Sequence, residues 1–159
     1  MSGMENNNAT IVYKQFEALP EKSVLTNVIA VYKELFTTAS EAKFIERINC
    51  KHNVLLVVAY YKTNLVGFKL GYEQDSKTFY SWVGGVLPAY RRKGIAQNLM
   101  QLQNYAVNEK GYEFIRTAST NQFKPMMQLN LKSGFDIIDV YKDVDGKTKI
   151  LFEKQLKQL

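Results

Sequence analysis

Residues 81 to 100 read SWVGGVLPAYRRKGIAQNLM, and this stretch decides how the rest of the chain is to be read. Ser81 to Leu87 has the aromatic and branched composition of a strand. Pro88 cannot donate to a ladder, so pairing stops there. Arg91, Arg92 and Lys93 then form the densest basic cluster in the chain, and Gly94 opens a helix carrying Ile95, Leu99, Leu102 and Ala106 on one face. A helix start leaves its first backbone N–H groups unpaired and at the positive end of the helix dipole. Glycine at that point removes the Cβ that would hold an anion away. Three cations beside those donors make a phosphate site by geometry and charge. The same residues also suit a solvated basic turn before a surface helix, so on their own they leave both readings open. They match neither the Walker pattern nor the dinucleotide glycine pattern.

Working outward, hydrophobic spacing gives the other elements. Thr10 to Glu17 reads as a first strand. Pro20 opens a helix with Val24, Val28, Val31 and Leu35 at helical spacing, and Ser40 is the expected N-cap of a short second helix bearing Phe44, Ile45 and Ile48. Asn53–Tyr61, Leu65–Glu73 and Thr78–Leu87 read as strands joined by tight turns. Gly111 closes the helix that Gly94 opens, and Tyr112–Ser119 follows as a strand. Pro125 starts a last helix, ending at Gly134. Phe135–Tyr141 and Thr148–Phe152 are final strands, turned at Asp145-Gly146. The mixture of helical and hairpin connections predicts an α/β (α+β mixed) domain, with a twisted mixed sheet of about seven strands flanked by about four helices.

The composition bounds the function. A chain of 159 residues suits a single domain spanning residues 1–159. No apolar run approaches the roughly 18 residues needed to span a bilayer, so no membrane role is expected. Residues 1–9 are polar and Asn-rich, expected to be disordered, and do not form a secretory signal. Cys50 is the only cysteine, which predicts a reducing, cytoplasmic setting. With His52 the only histidine, no metal site is expected. The net charge of +6 allows a polyanionic ligand, but the cations outside Arg91–Lys93 are scattered, which disfavours nucleic acid. Cys50 is read as a packing residue and His52 as a loop residue. Tyr60, Tyr61, Tyr80 and Trp82 are read as core and sheet surface.

Arg91-x-x-Gly94-x-Ala96, placed after Val86-Leu87-Pro88-Ala89-Tyr90, resembles the pyrophosphate motif of the GNAT superfamily of N-acetyltransferases. Asn121, Leu129-Asn130-Leu131-Lys132-Ser133 and Gly134-Phe135 resemble that superfamily's second conserved region, in register with the first. The order of strands and helices is similar along nearly the whole chain. The resemblance implies an acetyl-CoA-dependent N-acetyltransferase that acylates a primary amine of a small molecule or protein by direct attack. A binding module that senses acyl-CoA with little or no turnover is the alternative.

By the same resemblance, the strand bulges and splays at Gly84, Gly85 and Val86, where the pantetheine arm pairs. The pyrophosphate takes the amides of Arg92, Lys93, Gly94, Ile95, Ala96 and Gln97 beside Arg91, Asn121 bonds the pantetheine, and the Val86 N–H is the oxyanion donor. Two positions depart from the family pattern. Asn130 stands where many relatives carry a tyrosine acid, and Tyr80 stands where some carry a glutamate base. Glu73, at the end of the neighbouring strand, is the substitute base chosen by elimination. The terminal strands offer a route to a homodimer.

Overall fold

The computed structural model describes residues 10 to 157, so the segment 1–9 expected to be disordered lies outside the described residues. Seven strands form one sheet: β1 (Ile11–Phe16), β2 (Leu55–Tyr61), β3 (Asn64–Glu73), β4 (Thr78–Val86), β5 (Phe114–Thr120), β6 (Asp136–Lys142) and β7 (Thr148–Gln155). Four helices accompany them: α1 (Lys22–Leu35), α2 (Glu41–Asn49), α3 (Ile95–Glu109) and α4 (Lys124–Lys132). The sheet order is β1-β2-β3-β4-β5-β7-β6. Only the β4–β5 contact is parallel; every other neighbouring pair is antiparallel. The mixed sheet expected from the sequence is therefore present, with α3 supplying the crossover that a parallel pair needs.

The helices divide between the two faces of the sheet. α1 and α2 cover one face, where Val28, Val31, Phe44 and Ile48 pack with Leu56, Val58, Phe68 and Leu70. The spacing of these residues on their helices is the amphipathic period that the sequence shows. Ser40 caps α2 as expected, its Oγ accepting the Lys43 N–H at 3.3 Å. On the other face, α3 contributes Leu99, Met100 and Val107, and α4 contributes Met127 and Leu129 at the edge of the core. Alternation along each strand feeds the two cores separately.

One expectation needs correction. Cys50 is exposed at the C-terminal cap of α2 and fills no core position. β7 inserts between β5 and β6, which leaves β6 on the sheet edge with Ile137, Ile138, Val140 and Tyr141 exposed. The final hairpin folds back so that its second strand, richer in buried residues, takes the inner place.

Candidate active site

The site begins where β4 and β5 part. They pair from Thr78↔Phe114 to Ser81↔Thr117 and no further. Immediately afterwards β4 bulges: Leu70 of β3 faces Val83 while Gly71 faces Ser81, so Trp82 is the extra residue. The bulge thus lies ahead of Gly84, Gly85 and Val86, where the resemblance had placed it. Those glycines have other causes. A Cβ on Gly84 would come within 2.6 Å of the Phe68 carbonyl oxygen, and one on Gly85 within 2.6 Å of Leu35 Cδ1. Close strand approach and the end of α1 therefore require them.

From Trp82 to Val86, β4 keeps β3 on one side and has no strand on the other. The Leu87 N–H donates to the Val66 carbonyl at 2.9 Å. An antiparallel ladder alternates, so the N–H and C=O groups of Val86 and Gly84 turn toward the open side. Arg91 Nε donates to the Val86 carbonyl oxygen at 3.0 Å, which confirms that direction. The N–H groups of Gly84 and Val86 are thus presented at an open strand edge. Arg91 is committed to holding this edge and the loop together.

A short 3-10 turn, Pro88–Tyr90, carries the chain from β4 to the loop. Arg92 has φ +62°, unusual for a side chain-bearing residue, and Gly94 has φ +78° as the N-cap of α3. No atom lies within 4 Å of where a Gly94 Cβ would be, so glycine serves the left-handed backbone and leaves open space. The first intrahelical bond is from Asn98 N–H to the Gly94 carbonyl at 3.0 Å. The N–H groups of Ile95, Ala96 and Gln97 therefore have no partner within the helix. No acidic side chain occupies the first turn of α3. Arg92 and Lys93 are exposed and take part in no ion pair among the described residues. This arrangement fits a pyrophosphate.

Asn121 follows β5 directly. Several polar side-chain atoms are buried without a protein partner: Ser81 Oγ on β4, Thr120 Oγ1 on β5, Oε1 and Nε2 of Gln103 and Oδ1 of Asn104 on α3, and Asn130 Oδ1 on α4. Buried polar atoms are normally paired. A ligand arm bearing amides and a thioester would supply partners here.

Glu73 is not brought to this place. It pairs with Phe79 and lies four residues along β3 from Lys69, the partner of Gly84, which puts it roughly 13 Å back along the strand at about 3.3 Å per residue. Its Oε1 accepts the Tyr112 hydroxyl at 3.0 Å, and its N–H donates to the His52 carbonyl at 3.0 Å. Burial and this carboxylate together push the Tyr112 pKa up to about 12. Tyr80 lies on the α1–α2 face, where burial pushes its pKa up to about 12, so it is no base at neutral pH. On the same face Arg47 donates from Nε and Nη2 to Tyr72 Oη at 2.9 and 2.6 Å, and its guanidinium lies 4.4 Å over the Trp82 ring. Sequence reasoning passed over Lys69, a buried cation in β3 beside Gly84. Its signal was present: one lysine at a strand-centre position within the apolar run VGFKLGY.

The chain matches the acetyltransferase (GNAT) family over residues 24–135, most of its length, and belongs to that family. No curated protein matches it in sequence. Its fold is similar to that of Ard1 from Thermoplasma volcanium, at TM-score 0.80 and 14% identity over 93% of this chain and 99% of the other. The ribosomal-protein-S18-alanine N-acetyltransferase from Escherichia coli is similar at TM-score 0.78 and 15% identity, covering 94% and 96%. A GNAT family acetyltransferase from Elizabethkingia anophelis, solved with acetyl-CoA bound, is similar at TM-score 0.73 and 18% identity, covering 92% and 98%. Family membership makes the chain an acyltransferase of the GNAT kind. Among the described residues, no helix is long and apolar enough to cross a membrane.

Proposed function

We propose that this chain transfers an acetyl group from acetyl-CoA to the primary amine of a small molecule or protein, by direct attack. The observation that carries this reading is the open β4 edge leading into a left-handed Gly94 cap with free N–H groups at Ile95, Ala96 and Gln97. The loop amides from Arg92 to Gln97 hold the pyrophosphate, with Arg92 and Lys93 adding charge. Val86 lies nearer the loop and Gly84 further from it. The Val86 N–H therefore pairs with the pantetheine, and the Gly84 N–H donates to the thioester oxygen as it gains charge. This moves the oxyanion role expected of Val86 inward by two residues. Asn121, across the gap, bonds the same arm.

The acceptor approaches from the face bearing Tyr72, Tyr80 and Trp82. None of these is a base, so the amine proton leaves through water and the acidic limb of the rate follows the acceptor's own pKa. The homodimer expected from the terminal strands would form along β6, the exposed sheet edge. The test is calorimetry with CoA followed by thiol release from acetyl-CoA across a panel of primary amines. Binding with turnover supports the reading. Binding without turnover on any amine favours an acyl-CoA sensor, and no binding overturns both.

A further inference from the structure

Lys69 is a buried cation with no role in the reading above, and it sits beside the reacting position. It is 9% exposed, at the centre of β3, and joins no ion pair among the described residues. Lysine is rarely buried unless paired. Burial pushes its pKa down to about 8. Its neighbours Phe68 and Leu70 belong to the core under α1 and α2, so alternation turns Lys69 to the face of α3 and α4. Its strand partner is Gly84. A Cβ on Gly84 would lie 3.3 Å from Lys69 Cγ, so the lysine stem starts across β4 at a residue with no side chain to block it. The unpartnered buried polar atoms Ser81 Oγ, Gln103 Oε1 and Nε2, and Asn130 Oδ1 belong to neutral groups.

We propose that the Lys69 ammonium reaches the gap between β4 and β5 and protonates the departing thiolate of CoA. The proposal rests on the reading that places the thioester at the Gly84 N–H. The acceptor nitrogen forms a bond to the carbonyl carbon, and the carbon–sulfur bond breaks with its electron pair left on sulfur. The proton passes from Lys69 Nζ to sulfur. Lys69 regains a proton from water, and the proton lost by the acceptor nitrogen goes to water, so amide and thiol are the net products. Asn130 is an amide and gives up no proton, and of the residues on this face Lys69 is the one paired directly with Gly84. Its strand partners are Val57 and Gly84, and the helices over that face carry Leu99, Gln103 and Asn130; none of these titrates. The rate should therefore fall as pH rises through about 8, where the ammonium is lost.

The test uses Lys69→Met, which keeps an apolar stem and removes the proton. CoA affinity, the pH profile with acetyl-CoA, and turnover of the selenoester analogue of acetyl-CoA are measured in both proteins. A selenolate leaves without needing a proton. We expect unchanged CoA affinity, a loss of about tenfold to a hundredfold in kcat with acetyl-CoA, disappearance of the alkaline limb, and near-equal rates with the selenoester. Equal rates with acetyl-CoA would overturn the acid role, as would the same loss with both donors, which marks a structural effect. Wild-type protein that binds CoA but acylates no amine would defeat the functional reading and this proposal together. An active wild type with an equally active Lys69→Met defeats this proposal alone.

Discussion

Replacing Gly94 by Glu, Gln and Ala separates three contributions at the proposed pyrophosphate loop. Gly94 sits at φ +78°, so any side chain there meets left-handed strain of about 1–2 kcal/mol. Nothing lies within 4 Å of the added Cβ, so no packing clash adds to it. All three variants should stay folded and lose about 2 to 8 °C in Tm, at about 2–4 °C per kcal/mol for a chain of this size. Glu and Gln have the same bulk, and only Glu brings a negative charge beside the free N–H groups of Ile95, Ala96 and Gln97. Two like charges about 4 Å apart repel by about 1 kcal/mol in water and about 4 kcal/mol near a protein surface. Gly94→Glu should therefore bind CoA about 5-fold to about a thousandfold more weakly than Gly94→Gln. The gap should narrow with added salt. Calorimetry on the folded variants at two salt concentrations measures this. Equal CoA affinity for Glu and Gln would show that the pyrophosphate does not lie at this helix start.

Gly84→Ala forces a Cβ against the Phe68 carbonyl and Lys69 Cα, both backbone, whereas Gly85→Ala meets only the flexible end of Leu35. The first should cost about 1–3 kcal/mol and the second less, read from thermal melts; the reverse order would refute the packing account. Lys69→Met should stabilise the fold by on the order of 3 kcal/mol below about pH 8, where both folded and unfolded wild type carry the proton and burial penalises it. Between about 8 and 10.5 the unfolded chain binds more protons, so wild-type stability rises with pH and the advantage of Met shrinks; a pH-independent difference by denaturant titration would contradict this. Glu73→Gln should leave turnover and its pH profile unchanged, because Glu73 is remote from Gly84. A hundredfold loss would restore it as the base.

The parts of this fold that the sequence discloses are those governed by local chemistry. Helical spacing located α1 to α3, Pro125 the start of α4, Ser40 the cap of α2, Gly111 and Gly134 the helix ends, and Arg91 to Ala96 the loop. What it withheld depends on residues far apart in the chain. The bulge at Trp82 is a matter of register between β3 and β4, which composition does not encode. Gly84 and Gly85 look like irregularities in a strand until β3 and Leu35 of α1 are seen packed against them. Glu73 was chosen because it is near Tyr80 along adjacent strands. The register then places it beside Phe79, at the end of the sheet away from the loop. Lys69 had the opposite fate. Its lysine within an apolar run was visible, but only the pairing with Gly84 gives it a destination.

The open edge of β4 is selective as well as open. The Ser81 carbonyl, where parallel pairing ends, accepts the Thr117 hydroxyl at 2.9 Å. The Val86 carbonyl accepts Arg91 Nε at 3.0 Å. These two bonds occupy acceptors that would otherwise invite β5 to continue the ladder or leave polar groups buried without partners. The donors are treated differently: the N–H groups of Gly84 and Val86 face the gap with no strand opposite. An edge with free N–H groups at Gly84 and Val86 and a free Gly84 carbonyl favours an extended ligand that offers both carbonyl oxygens and amide N–H groups. An arm of amides ending in a thioester has that form, and the free N–H groups at the start of α3 are donors suited to the phosphates of the proposed cofactor. The N–H groups of the strand edge thus lead into those of the helix start. Thr117 and Arg91 help to hold that edge open even though neither needs to touch the reacting atoms.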